Sequence, residues 1–250
     1  MSDAQVPRIF SLARRRARWR RACARQIRPN PAGFLFEAFA EELSDRLGFM
    51  RHEAKTALIL GDLGSHALEA LKQHVARIET ATPLMFEEEA AYPDQYDLVV
   101  NLGLMDSVND VPGALLHVRR ALAADGLAII AFVGAGSLGN LRGALLAAEP
   151  GRQAARMHPM IDVRAAAALM QRAGFRRQVV DAFPLRVRYG SLARLVSDLR
   201  DQGMTNALTS SPPPLSRAAL SRANDAFLAA AESDGKVTET FEILVLTGWG

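Results

Sequence analysis

The chain has 250 residues, of which 49% are hydrophobic and 23% charged, with a formal net charge of +3. This composition excludes a mostly disordered protein, and the length is typical of a single α/β domain. The single cysteine, Cys23, excludes an internal disulfide framework and any site built from several thiolates. It also predicts a reducing compartment.

The charge is distributed unevenly along the chain. Residues 1–28 contain nine arginines and one acidic residue, Asp3, which gives this segment a net charge of +8. The rest of the chain contains 21 basic and 26 acidic residues and carries −5. We therefore interpret 1–28 as an Arg-rich helical arm and 29–250 as one domain.

The beginning of the chain allows two interpretations. An Arg-rich, acid-poor start resembles a mitochondrial transit peptide. However, Pro29 and Pro31 follow it, and the use of 27 arginines against three lysines is typical of a GC-rich bacterial genome. We therefore assign the segment to the mature chain and predict the bacterial cytoplasm. No run of 18 apolar residues occurs, so the sequence predicts no membrane-spanning helix.

Hydrophobic periodicity predicts two helices followed by an alternation of strands and helices. The first two helices are Phe10–Gln26 and Phe34–Leu47, the latter ended by Gly48. The predicted strands are Ala57–Leu60, His74–Ile78, Leu84–Phe86, Tyr96–Leu102, Leu127–Val133, Val179–Val187 and Thr238–Thr247. The later helices are a stretch through Leu68 and Leu71, then Val111–Ala123, Leu138–Ala148, Val163–Arg172, Leu192–Asp201 and Ala218–Ala231.

This order predicts an α/β, Rossmann-like fold. Alternating strands and helices with short connections form a mostly parallel, twisted sheet with helices on both faces. The last two strands would add an antiparallel edge at the C-terminal end of the chain.

The turn after the first strand is the first candidate binding site. In an open α/β sheet, ligands bind beyond the carboxyl ends of the strands, and glycines let backbone N–H groups approach them. Gly61, Asp62 and Gly64 occupy this turn, although two glycines are common in any such turn. Glu79 is predicted at the end of the second strand, where an acid can accept hydrogen bonds from a ribose. The alternative for Glu79 is a solvated carboxylate.

Other candidate residues give weaker signals. Glu87 begins a run of three acids that is either a solvent-facing turn or a ligand contact. The five histidines lack the i,i+3 or i,i+4 pairing of common metal sites, so the sequence predicts no metal ion. A nucleophile elbow and a phosphate-binding Gly-Lys-Ser/Thr loop are both missing from the sequence.

The run YDLVVNLGL, followed by VNDVPGALLHVRRALAADGLAII, resembles the middle of class I S-adenosylmethionine-dependent methyltransferases. More narrowly, the chain resembles the family that contains mitochondrial NADH dehydrogenase complex I assembly factor 5 and its alphaproteobacterial relatives. Three further segments carry this resemblance: IFSLARRRARWRRA at 9–22, DLRDQGMTNAL at 198–208 and TFEILVLTGW at 240–249.

The resemblance implies S-adenosylmethionine as the cofactor, with a loop of the pattern LDLGCGTG at the first turn. Here Ile59 replaces the acid and Asp62 the cysteine, while Leu63 and Ser65 replace two glycines. Leu63 would place a four-carbon side chain in the space of the cofactor. A one-residue shift of this alignment would instead recover Gly64 as the second glycine, at the cost of a longer turn. If Leu63 and Ile59 fill the space beyond the first strand, no adenosine fits there. The positions that match cofactor-binding residues of the family are Gly61, Asp62, Gly64, Glu79, Glu87, Asn101, Leu102 and Gly103.

Two functions follow as hypotheses. One is a methyltransferase-like enzyme that acts on a protein, by methyl transfer or, as the resemblance implies, by arginine hydroxylation in respiratory complex I assembly. Asp106 and Tyr92 are then candidates for orienting the reacting group. The alternative is a non-catalytic relative that binds a protein partner through the Arg-rich arm, unless this arm packs on its own acidic domain. RNA binding is disfavoured, since the arm offers little base stacking beyond Trp19 and the rest of the chain is acidic.

Overall fold

The computed structural model of the protein describes residues 8–85, 91–92, 94–151, 155–210 and 212–250. The helices are α1 (Leu12–Gln26), α2 (Phe34–Met50), α3 (His66–Leu71), α4 (Val111–Arg120), α5 (Gly139–Ala148), α6 (Val163–Ala173), α7 (Leu192–Asp201) and α8 (Arg217–Leu228). The strands are β1 (Thr56–Leu60), β2 (Arg77–Ala81), β3 (Tyr96–Leu102), β4 (Leu122–Val133), β5 (Arg176–Tyr189) and β6 (Val237–Trp249). A 3₁₀ turn, Met105–Ser107, follows β3.

The strands form one sheet in the order β2-β1-β3-β4-β6-β5. The first four strands in this order are parallel, whereas β6 runs antiparallel to both β4 and β5. Six of the seven residues of β3 are buried, as expected for a strand covered by helices on both faces. The predicted α/β fold and its antiparallel edge are therefore confirmed.

Several predicted boundaries are wrong. Helix α4 ends at Arg120 rather than Ala123, because β4 begins at Leu122 rather than Leu127. Helix α2 continues through Gly48 to Met50, because a glycine inside a helix weakens it without ending it. The helix instead ends at Arg51, which adopts the left-handed conformation with φ 51°. The second strand begins at Arg77 rather than His74, since the backbone N–H groups of His74 and Val75 still donate to the carbonyl of Leu71 at the end of α3.

The predicted strand over Leu84–Phe86 is also wrong for its described part. Leu84 and Met85 lie in a turn, in which the backbone N–H of Met85 donates to the carbonyl of Thr82 at 2.9 Å. Phe86 lies outside the described residues.

Helix α1 packs on the body of the protein. Its Ser11 cap accepts the N–H of Arg14, and its inner face buries Trp19 and Ala22 in the main hydrophobic core. Just before the helix, Phe10 forms a β-bridge with Leu208. The Arg-rich segment therefore packs on its own domain, although the division at residue 28 stays a prediction. Within the described ranges, the helices lack the combination of length and hydropathy that crossing a membrane requires.

Truncation of Trp19 tests whether α1 is integral to the fold. We expect Trp19→Ala to lower the free energy of unfolding by about 3–5 kcal/mol, because it leaves a cavity between α1 and the core. The exposed neighbour Arg20 is the matched control, and Arg20→Ala should change stability by at most about 0.5 kcal/mol. Urea denaturation followed by circular dichroism measures both. Equal, small effects would contradict the packing of α1.

Candidate functional site

The turn after β1 is held tightly by the residues that follow β3. Gly61 and Gly64 both have positive φ, at 82° and 87°, which glycine adopts without strain. A Cβ atom at Gly61 would lie 2.4 Å from the carbonyl oxygen of Leu102 and 2.6 Å from Cγ of Leu104. Gly61 therefore permits close packing of the protein against itself, since the Leu104 side chain occupies the space next to it.

The two substituted positions of this turn are part of the core. Leu63 is 3% exposed and Ile59 is fully buried, and both belong to the main hydrophobic cluster. Their side chains therefore pack inside the protein at the carboxyl end of β1. The turn is thus a packed element of the core.

Asp62 supports α3. Its carboxylate accepts the backbone N–H groups of Ala67 at 3.2 Å and Leu68 at 2.8 Å. The first N–H groups of a helix carry partial positive charge and attract anions. Here the chain's own carboxylate takes this position, so a ligand carboxylate would lose these donors and would be repelled.

Glu79 does not lie at the end of its strand, so this prediction is wrong. It pairs with Leu58 in the middle of β2, because β2 continues to Ala81 instead of ending at Ile78. Its carboxylate accepts the hydroxyl of Tyr96 at 2.7 Å and forms an ion pair with Arg77. The hydrogen bond from Tyr96, and then that from Arg77, lower the pKa of Glu79. Both carboxylate oxygens are therefore engaged, and a role in ribose binding stays a prediction.

The end of β3 is buried and contains one orphaned polar atom. Asn101 is 1% exposed, and its Oδ1 has no hydrogen-bond partner among the described residues. Leu102 is fully buried beside it, and Gly103 (φ 65°) leaves room for Phe36, which would lie 3.2 Å from a Cβ atom there. Among the described members of the predicted cofactor set, Asn101 therefore has a buried side-chain acceptor without a partner. Glu87 lies outside the described residues.

Asp106 is buried in an ion pair with Arg18. Their side chains are 8% and 7% exposed, and Nη2 of Arg18 lies 3.0 Å from Oδ1 of Asp106. Ser107 donates to the same carboxylate at 3.0 Å, and Nδ1 of His158 lies 3.8 Å from it. Burial alone would raise the pKa of Asp106, but Arg18 and His158 hold it below its ordinary value. The predicted role of this carboxylate in orienting a reacting group stays a prediction.

His158 is oriented by the backbone. Its Nε2 accepts the N–H of Ala207 at 2.7 Å, so this nitrogen carries no proton and a neutral ring is protonated at Nδ1, towards Asp106. The ring of Phe10 packs against it edge to face at 5.1 Å. Tyr92, the other catalytic candidate, packs against the core and does not line the cavity beside Asp106. A catalytic role for Tyr92 stays a prediction.

Two concave sites lie beside Asp106. The first, called here the apolar cavity, has a volume of about 220 Å³ and lies beyond the carboxyl end of β4. Its lining residues are mostly aliphatic and include Val133, Leu138, Leu141, Leu145, Met160 and Leu199. The second, the arginine groove, is lined by Arg18, Arg21, Ala24, Arg25, Arg28, Arg200, Thr205 and Asn206.

Sequence reasoning missed the residues that form these sites. His158, Arg200 and Thr205 carry no recognisable motif. A usable signal was present, however, because arginines at 18, 21 and 25 have the i, i+3, i+7 spacing of one helix face. The segment 198–208, which carried the family resemblance, also lines the groove opposite that face.

Comparisons with known proteins agree with this architecture. A family model described as a methyltransferase domain matches residues 22–179. The mitochondrial arginine-hydroxylase NDUFAF5 of Rattus norvegicus is 28% identical over 95% of this chain and 76% of its own. Malonyl-[acyl-carrier protein] O-methyltransferase of Halorhodospira halophila is 30% identical over 81% and 69%. These similarities confirm the resemblance stated from the sequence.

A solved structure confirms the fold. The crystal structure of the YcgJ protein from Bacillus subtilis superposes with a TM-score of 0.52 and covers 83% of this chain and 98% of its own. Its sequence identity is 14%, so the comparison bears on the fold alone.

Removal of the Asp106 charge tests the buried ion pair. We expect Asp106→Asn to lower the free energy of unfolding by about 3–5 kcal/mol, because the buried guanidinium of Arg18 loses its counter-charge. The control is Asp125→Asn at an 89% exposed side chain, where asparagine tolerates the positive φ of 60°. Urea denaturation at pH 7 measures both.

The pH dependence provides a second readout of this pair. The pKa of Asp106 is lowered in the folded state, so its stabilising contribution is complete above the pKa of an unfolded aspartate, about 3.9, and is lost as the pH falls below it. The stability difference between wild type and Asp106→Asn should therefore shrink below about pH 4. A stability difference that stays constant down to about pH 2.5, roughly one unit below the pKa of an unfolded aspartate, would contradict the ion pair between Asp106 and Arg18.

Proposed function

Since this chain belongs to the methyltransferase domain family, we propose that it uses a methyltransferase-like fold to bind a protein partner without transferring a methyl group. One observation carries the proposal, which is that side chains of the protein fill the cofactor turn. The Leu104 side chain packs against Gly61, and Leu63 is buried where the family pattern has a glycine. We infer from this packing that S-adenosylmethionine does not bind at this turn.

The charges around the turn support the same proposal. Asp62 takes the N–H groups at the start of α3, and Glu79 is engaged by Tyr96 and Arg77. A cofactor with a carboxylate and a ribose would compete with these interactions.

The identity of the partner is proposed by analogy with relatives. The name of one describes arginine hydroxylation, and the name of another describes methylation of a group on an acyl carrier protein. We propose that the partner is likewise a protein, and that it binds beside α1. We also place the protein in the bacterial cytoplasm, as the sequence predicts.

A second candidate function, S-adenosylmethionine-dependent catalysis, is favoured by Asn101. Its Oδ1 is buried without a partner in the described part of the chain and lies at the carboxyl edge of the sheet, where ligands bind in this class of fold. Family membership supports it as well. Its chemistry would be methyl transfer or, by resemblance, arginine hydroxylation, and Asn101 would contact the cofactor.

A cofactor titration separates the two functions. We expect isothermal calorimetry to give no saturable heat with S-adenosylmethionine up to millimolar concentrations, because Leu63 and Leu104 occupy its space. A cofactor-dependent methyltransferase in the same buffer serves as the positive control. Micromolar binding that Asn101→Ala weakens would overturn the non-catalytic function in favour of the enzyme.

A further inference from the structure

The arginine groove carries an uncompensated positive charge. Five arginines line it, of which Arg18 and Arg25 form ion pairs with Asp106 and Asp201. The other three, Arg21, Arg28 and Arg200, are exposed and form no ion pair within the described part of the chain. The groove therefore has a local net charge of +3, although residues 29–250 are acidic.

The paired arginines hold the groove open in a fixed shape. Arg25 donates to Asp201 at the end of α7 and to the hydroxyl of Ser197 at 2.9 Å. Gln26 donates to the carbonyl of Asp201 at 2.8 Å, and Arg18 donates to the carbonyl of Thr205 at 3.3 Å. Helix α1 is thus fastened to α7 and to the segment after it, so an incoming ligand meets a preformed site.

The apolar cavity adjoins this groove. Arg200, Thr205 and Asn206 line both, so an occupant of the groove can reach the cavity. The Oγ1 atom of Thr205 is buried and has no hydrogen-bond partner among the described residues. At about 220 Å³, the cavity is smaller than the roughly 300–1,000 Å³ of typical small-molecule pockets. Its size and aliphatic lining suit a single apolar side chain.

We propose that the arginine groove binds an acidic segment of a partner protein, and that the apolar cavity receives one aliphatic side chain of that segment. The inference rests on the proposed function in taking the occupant to be a protein. Charge complementarity selects an anionic partner, and the adjoining apolar cavity selects one that carries aliphatic groups. Nucleic acid is disfavoured, since the groove lining contains no aromatic side chain and Trp19 is 6% exposed.

Fluorescence anisotropy with a labelled peptide tests the proposal on the full chain. The probe is a short peptide of aspartate and glutamate around one leucine. Arg21→Gln, Arg28→Gln and Arg200→Gln should each weaken binding about threefold, and the triple variant about thirtyfold, since each removes one exposed ion pair. Arg20→Gln is the matched control, because Arg20 is an exposed arginine of the same helix outside the groove.

Two altered probes test the individual parts. Replacement of the leucine by serine should weaken binding about tenfold, because the aliphatic group no longer leaves water. An Arg200→Glu variant should bind the acidic peptide less well and recover affinity for a peptide in which one acid is replaced by lysine. Circular dichroism checks that each variant is folded. We expect this because the substituted arginines are exposed and form no ion pair within the described part of the chain.

Three results would overturn the inference: no peptide binding, equal loss in Arg20→Gln and the groove variants, or tighter, groove-dependent binding of a uridine oligonucleotide of equal charge. The last would make the groove a nucleic-acid site. Calorimetry with S-adenosylmethionine on the same preparations keeps the proposed function separate. If both the cofactor and the peptide bind, the proposed non-catalytic function is wrong and the inference about the groove stands. If neither binds, the inference about the groove is wrong and the non-catalytic function stands.

Discussion

The guanidinium of Arg18 is almost entirely removed from water, and the carboxylate of Asp106 compensates its charge. An unpaired buried charge costs several kcal/mol, so α1 can pack on the body of the protein only where a carboxylate compensates Arg18. Asp106 lies in the 3₁₀ turn directly after β3, and Nδ1 of His158 lies 3.8 Å from its carboxylate. One ion pair therefore joins the N-terminal helix, the central strand of the sheet and the loop that precedes α6.

The same region is divided into a closed part and an open part. Next to Gly61 the chain is packed against itself, because Leu104 and Leu63 use the space that the family pattern leaves to glycine. On the side of α1 and α7, a groove and a cavity stay accessible. The chain thus forms the sheet of the family fold, while the groove and the cavity lie beside the turn after β1.

The sequence predicted local features better than long-range ones. The continuous apolar run of β3 and the amphipathic helix α7 have their predicted bounds, since both patterns are strong over their whole length. The start of β2 was misplaced because hydrogen bonds to Leu71 extend the turn of α3, and β2 continues past Glu79 to Ala81. The partner of Asp106 could not be predicted, because Arg18 is 88 residues away and no local pattern distinguishes it from its neighbours.

The division of the arginines into paired and unpaired members explains how a segment of charge +8 can be both part of the fold and a docking surface. Arg18 and Arg25 are neutralised and anchor α1, so they contribute to stability. Arg21, Arg28 and Arg200 line one groove, and their like charges repel each other. Such repulsion opposes folding, and it is relieved when an anionic partner enters. The paired arginines already fix the shape of the groove, so an anionic partner binds without reordering it. The lowered repulsion between the unpaired arginines therefore increases the affinity and the rate of association.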